Sequence, residues 1–195
     1  MPTWTDITTR NPQHSRNYAA RWKNMEAEGR DIVGEARLID AMVPRGSRIL
    51  DAGCGTGRVG GYLQQAGHSV VGVDLDPYLI EVAREDFPEA TWEVGNLAEE
   101  GSIPEADFEA IVCAGNVITF LAPEERQPAL QNLFAALAPG GRAVIGFSAG
   151  RGLPFPAFLE AASAVGFRVD ATFSTWDLRP FDPQSSDFLV AVLSK

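Results

Sequence analysis

Arg48-Ile49-Leu50-Asp51-Ala52-Gly53-Cys54-Gly55-Thr56-Gly57 is the stretch from which the rest of the chain can be read. A short apolar run ends in a carboxylate, and a glycine follows at every second position. Such a run reads as a buried parallel strand, and the glycines as a turn where backbone and ligand come close. Gly57 to Gly67 then reads as a helix, and the run from His68 to Asp74 as a second strand. A strand, a glycine loop, a helix and a strand ending in an acid form a nucleoside-binding unit.

Two frames fit the loop. Gly55-Thr56-Gly57-Arg58-Val59-Gly60 is a literal G-x-G-x-x-G with Asp74 following 19 residues after Gly55, which suits a dinucleotide and a nicotinamide-dependent reductase. The other frame is D-x-G-x-G-x-G from Asp51 to Gly57. In that frame the chain resembles the class I S-adenosylmethionine (SAM)-dependent methyltransferases, whose first motif is this string. The order downstream is similar too: Gly72-Val73-Asp74-Leu75-Asp76, then Trp92-Glu93-Val94 running into Gly95-Asn96-Leu97, then Glu109 to Asn116. Leu137-Ala138-Pro139-Gly140-Gly141-Arg142 resembles the family signature that ends the helix before the fifth strand. The closest likeness is to compact, small-molecule members of the tellurite and thiopurine type.

The resemblance implies an α/β fold: a Rossmann-like, seven-stranded, mostly parallel sheet with helices on both faces and a reversed last strand. Alternation of strand and helix patterns after Ser47 points the same way. Strands are expected over 48–52, 69–74, 91–94, 109–114 and 142–148, with helices over 57–66, 77–86, 124–138 and 154–165. The alternation breaks after Gly166. Phe167 to Trp176 and Asp187 to Leu193 read as an antiparallel pair joined by a proline-bearing connection. Before the core, Ser15 to Glu28 reads as a helix carrying Tyr18, Trp22 and Met25, and Asp31 as the cap of a second helix reaching Val43. The 195 residues are thus expected to form one domain, with 1–46 a helical cap and 47–195 the core.

Composition narrows the function. The formal net charge is −10 and Lys23 and Lys195 are the only lysines, a balance that argues against a polynucleotide partner. No apolar stretch has the length of a membrane span, and the polar start does not read as a signal peptide. Cys54 and Cys113 are the only cysteines. They read as reduced and structural, and the cytoplasm is the expected compartment. No cysteine, histidine and carboxylate cluster suggests a metal.

SAM, the cofactor the resemblance implies, presents an adenosine, an amino-acid end and a sulfonium. Gly53, Gly55 and Gly57 would let the backbone approach the methionine portion. Asp51 is expected to hold the ammonium, or else to brace the loop's own amides. Asp74 offers two acceptor oxygens to the ribose hydroxyls, leaving Asp76 better placed to cap the helix opening at Pro77. Leu75 and Leu97 would sandwich the adenine. Asn96 stands where the family commonly has an aspartate facing adenine's exocyclic amine; it keeps a carbonyl acceptor without the charge. Ala114 should line the methyl-transfer centre.

Asn116, Tyr18 and Arg151 are candidates for the acceptor side, although Asn116 also reads as a plain turn residue. Tyr18, Arg21 and Trp22 lie on a helix that could cover the site. Arg151 to Pro156 is a stiff loop suited to walling the acceptor pocket. His14 could approach the open side, and His68 reads as a surface turn residue. No general base stands out. The expected acceptor is a small organic or thiol-like molecule, and a protein that holds SAM without transferring methyl is the second alternative.

Overall fold

The computed structural model describes residues 2–195. Three helices lead: α1 (Trp4–Arg10), α2 (His14–Ala27) and α3 (Gly34–Met42). Then come β1 (Arg48–Ala52), α4 (Arg58–Gln65), β2 (Ser69–Asp74), α5 (Pro77–Asp86), β3 (Thr91–Val94) and β4 (Phe108–Cys113). A short α6 (Val117–Phe120), a 3-10 turn (Pro123–Glu125) and α7 (Arg126–Ala136) precede β5 (Leu137–Ser148). The chain closes with α8 (Phe155–Val165), β6 (Arg168–Phe173) and β7 (Phe188–Ser194).

All seven strands join one sheet in the order β3-β2-β1-β4-β5-β7-β6. The pairs from β3 through β5 are parallel, and β7 runs antiparallel to both β5 and β6. Successive residues of a strand point to opposite faces, so β1 sends Leu50 and Ala52 to one side and Ile49 to the other. Leu50, Ala52, Val73, Ile111 and Cys113 pack under Leu130, Leu133 and Phe158 of α7 and α8. Ile49, Val70, Ala110 and Val112 pack under Ala36, Ile39, Val59 and Leu63 of α3 and α4. Both faces are covered by helices, and only the strand ends are left for a ligand.

Several expectations need correction. The seven-residue α1 was not anticipated, although Thr3 and Asp6 cap its start reciprocally. Asp31 does not cap α3, which begins at Gly34; its carboxylate accepts from Val33 N at 3.2 Å and pairs with Arg37. Leu137 to Arg142 do not end a helix. They are already β strand, with Leu137 paired to Phe108, and α7 stops at Ala136. His68 is buried rather than superficial. Its Nε2 lies 2.9 Å from Asp40 Oδ1, because α3 folds over the amino end of β2.

Candidate functional site

The carboxyl ends of β1, β2, β3 and β4 open into one pocket, and the glycine loop forms its floor. Gly53 N and Cys54 N both donate to Val73 O, at 2.7 and 3.1 Å, so the loop is pinned to the end of β2. Gly53, Gly55 and Gly57 all have left-handed φ angles (+78°, +56° and +77°), which side chains other than glycine rarely adopt. At Gly53 the constraint is also steric: a Cβ there would lie 2.4 Å from Val117 Cγ2.

Asp51 is 2 % exposed, and its Oδ2 accepts from Gly60 N at 2.8 Å. Gly60 has no room for a side chain, since a Cβ would sit 3.0 Å from that same oxygen. The loop-bracing role is therefore real. Asp51 also borders a small recess beneath Tyr18 and Trp22, beside Gly53 and Ala114, so its second oxygen could meet a cation there. Burial pushes its carboxyl up to about 7, against the pull of the Gly60 amide.

Asp74 ends β2 and lines the main pocket. Its Oδ2 accepts from Gly55 N (2.8 Å) and its Oδ1 from Asp76 N (2.9 Å). Burial raises it to about 6, the two amides opposing the shift. Each carboxylate oxygen carries two lone pairs, so one acceptor site per oxygen is left for a pair of vicinal hydroxyls. Asp76 takes the cap of α5, accepting from Tyr78 N at 3.0 Å. It also binds the N-terminal helices: Trp4 Nε1 donates to Oδ2 at 2.8 Å, and Ser15 Oγ bonds the same oxygen.

Leu75 and Leu97 line the same pocket beyond Asp74, leaving an apolar slot of the kind a purine ring fills. Asn96 stands at the slot's rim. Its Oδ1 accepts from Ala98 N (3.1 Å) and its Nδ2 donates to Glu125 Oε1 (2.9 Å). Overhead, Trp4 meets Tyr18 and Phe120 edge to face, at centroid distances of 5.4 and 5.6 Å. Tyr18 reaches the glycine loop itself, with its ring 3.5 Å from where a Gly55 Cβ would be. Burial raises the Tyr18 phenol above its ordinary value, which keeps it a hydrogen-bond donor and makes it a poor general base.

On the far side of α6, Asn116 takes a left-handed conformation (φ +70°). Its Oδ1 accepts from Ser148 N at 2.7 Å, joining the ends of β4 and β5. That contact is the turn role, and it leaves the amide nitrogen and one lone pair of Oδ1 to face an acceptor. The Arg151 guanidinium lies 5.5 Å over the Phe120 ring and has no ion pair or hydrogen bond among the described residues. The loop after β5 meets the β6–β7 connection through Phe155 and Phe181. His14 packs edge-on against Trp4 at 5.0 Å.

The structure thus brings together Gly53, Gly55, Asp74, Leu75, Asn96, Leu97 and Tyr18 around one cavity. Asp51 and Ala114 adjoin it in the neighbouring recess. Gly57 instead faces inward against Trp92, which a Cβ would meet at 2.9 Å. Trp4 and Glu125 were missed by the sequence reading. Arg58 was missed too: it pairs bidentately with Glu35 at 2.8 Å and lies 4.3 Å over the Trp22 ring, fastening α2 and α3 to the loop.

These donors and acceptors fit SAM. The buried Asp51 and the half-buried Asp74 suit a ligand with a cationic end and vicinal hydroxyls, and an apolar slot lies beside Asp74. No cluster of metal-binding side chains occurs among the described residues. No helix among them is long and apolar enough to cross a membrane.

Comparison with known proteins bears on the two frames of the glycine loop. The "Methyltransferase domain" family matches residues 49–141. The structure of a TehB-like SAM-dependent methyltransferase from Corynebacterium glutamicum is 60% identical, with a TM-score of 0.91, and the match covers 95% of this chain and 100% of that one. The magnesium-protoporphyrin O-methyltransferase of Rhodobacter capsulatus is 30% identical over 129 residues, 62% of this chain and 53% of its own. The 18S rRNA (guanine-N(7))-methyltransferase of Bos taurus is 26% identical over 140 residues, 60% of this chain and 50% of its own. The chain spans about half the length of these two curated relatives.

Proposed function

This chain belongs to the SAM-dependent methyltransferases, and on that premise we propose that it methylates a small-molecule acceptor by in-line displacement. SAM supplies an electrophilic methyl on a sulfonium when bound. The protein's part is to align and to exclude water. Asp74 takes the ribose hydroxyls, Asp51 the ammonium end, Leu75 and Leu97 the adenine, and Asn96 its exocyclic amine. The glycine loop lies under the methionine portion and Tyr18 above it. Residues 1–46 act as a cap on a single methyltransferase domain.

One observation carries the reading: Asp74 sits between the glycine loop and an aromatic roof of Trp4, Tyr18 and Phe120. That enclosure favours a compact acceptor, entering beside Asn116, Arg151 and the 151–156 loop. A net charge of −10 with two lysines supports the same choice, since polynucleotide affinity comes largely from cationic contacts. Tyr18 stays a phenol, and no other side chain at the roof is placed as a base. An acceptor that needs little deprotonation, such as a thiol, fits best. Cys54 and Cys113 are buried and unpaired, which is compatible with a reducing, cytoplasmic setting.

The test is transfer of tritiated methyl from SAM to fractionated metabolites and to RNA, with S-adenosylhomocysteine quantified as co-product. Label in a small-molecule fraction supports the proposal. Label in RNA that falls with added salt overturns the acceptor class. Tight SAM binding with no product across a broad panel points to a protein that only holds SAM.

A further inference from the structure

Asn96 occupies a position that must accept a hydrogen bond if the site is to read adenine's 6-amino group. An amide is ambiguous there. Turned one way it presents a carbonyl, turned the other way an NH2, and the two choices select opposite purines. We propose that Glu125 is a positioning residue that locks the Asn96 amide with its carbonyl toward the pocket, making the site specific for a 6-amino over a 6-oxo purine. This rests on the reading of the pocket as a SAM site.

The geometry has three parts. Ala122 N donates to Glu125 Oε2 at 2.8 Å, which fixes the carboxylate across the end of α6. Glu125 Oε1 then accepts from Asn96 Nδ2 at 2.9 Å. Ala98 N donates to Asn96 Oδ1 at 3.1 Å. Flipping the amide would set its oxygen against the Glu125 carboxylate and its NH2 against the Ala98 N–H. Both contacts would become repulsive, so a single orientation survives. Asn96 Oδ1 keeps one lone pair beyond the Ala98 bond, and Asn96 lines the slot together with Leu97 and Leu121. The carboxylate is thus kept, 29 residues downstream of the position it replaces, acting through the amide instead of on the base.

The pair can be exchanged with every hydrogen bond kept, the one between the two side chains reversing its direction. In E125Q, the glutamine has one oxygen to serve two donors, Ala122 N and Asn96 Nδ2, so one donor faces another. In N96D, two carboxylates oppose each other. In N96D/E125Q, the glutamine oxygen accepts from Ala122 N, its NH2 donates to the introduced carboxylate, and that carboxylate faces the purine.

Titration calorimetry with S-adenosylhomocysteine and its deaminated 6-oxo analogue, S-inosylhomocysteine, tests this in the intact chain. The wild type should prefer the 6-amino ligand by about tenfold or more, the worth of one well-placed hydrogen bond. E125Q should lose most of that preference, and N96D/E125Q should regain it. A wild-type preference that E125Q leaves intact overturns the role of Glu125 alone. A wild type with no preference overturns purine reading by Asn96, while SAM turnover in the same preparation still reports on methyl transfer. If E125Q does not fold, N96D/E125Q decides: no preference in the double variant rejects the lock.

Discussion

Trp4 donates its indole N–H to Asp76 at 2.8 Å, across 72 residues of sequence. Ser15 bonds the same oxygen from α2, so two separate N-terminal helices hang on the carboxylate that caps α5. Asp76 N in turn donates to Asp74. The covering helices and the carboxylate proposed for ribose therefore share a single three-residue hinge, Asp74 to Asp76.

That hinge predicts a ligand-sensitive cover. Asp76→Ala removes a helix cap and orphans two donors, and should cost about 2–4 kcal/mol of stability. Trp4→Phe keeps the aromatic contacts and loses one bond, so it should cost about 1–2 kcal/mol. Hydrogen exchange checks the functional side: S-adenosylhomocysteine should raise protection over α1 and α2 in the wild type, and less so in Trp4→Phe. Protection unchanged by ligand would mean that these helices are simply part of the packed fold.

Asp74 braces two backbone amides and is proposed to hold the ribose, and a pair of variants separates the two roles. Asp74→Ala should weaken SAM binding by about 1–3 kcal/mol, the loss of a charged partner for hydroxyls. It also releases Gly55 N and Asp76 N, so stability should fall as well. Asp74→Asn retains acceptor oxygen for only one of those amides and should fall between the two. Calorimetry and thermal unfolding on the same samples test this. Unaltered affinity in Asp74→Ala would place the ribose contact on another residue.

β1 and β2 begin and end where their sequence patterns do, because buried parallel strands are continuous apolar runs bounded by glycine and charge; β3 does so as an edge strand in which only Trp92 is buried. The positions of the glycine loop, Asp51 and Asp74 were legible for a related reason: they follow from spacing along a single βαβ unit. What escaped depends on distance in sequence. Nothing local to Glu125 announces Asn96, and nothing local to Trp4 announces Asp76. His68 looked superficial because its partner, Asp40, comes from a helix 28 residues earlier. Pro139-Gly140-Gly141 looked like a helix stop, yet Leu137 pairs with Phe108 and its carbonyl accepts from Lys195 Nζ at 2.7 Å. Both contacts extend β5 backward, and neither is local.

The carboxylates of buried Asp51 and half-buried Asp74 make a pH prediction whose sign can be worked out. Asp51 at about 7 and Asp74 at about 6 are both raised by burial from the ordinary 3.8. A raised carboxyl binds its proton more tightly folded than unfolded, so stability from these groups is full below about pH 4 and is lost as pH climbs toward 7. The Cys54 and Cys113 thiols do not titrate in this window, since burial pushes both upward. Exposed aspartates such as Asp31, held at about 2 by Arg37, act oppositely but at lower pH. Ligand-free melting temperature should therefore fall between about pH 5 and 7.5, and less so in Asp51→Asn. SAM binding, which favours the charged carboxylates, should tighten over that window and release protons. Calorimetry in buffers of different ionisation enthalpy measures the release; proton uptake would reverse the argument.

Arg151 gives the last prediction, on the acceptor side. Its guanidinium rests over Phe120, and Phe120 lines the pocket and touches Trp4. An exposed cation–π contact is worth about 0.5–1 kcal/mol, too little to fix the side chain against a better partner. With no ion pair among the described residues, its donors are free for an acceptor entering over Phe120. Arg151→Met keeps most of the apolar stem and removes the charge. It should leave SAM affinity within about twofold and stability within about 0.5 kcal/mol, as for most surface substitutions. The effect should fall on the acceptor KM, which should rise by about tenfold for an acceptor bonded by the guanidinium. Steady-state kinetics with the acceptor found by the tritium screen decides it. A fall in kcat with KM unchanged would mean that Arg151 acts on the cover over the cofactor instead.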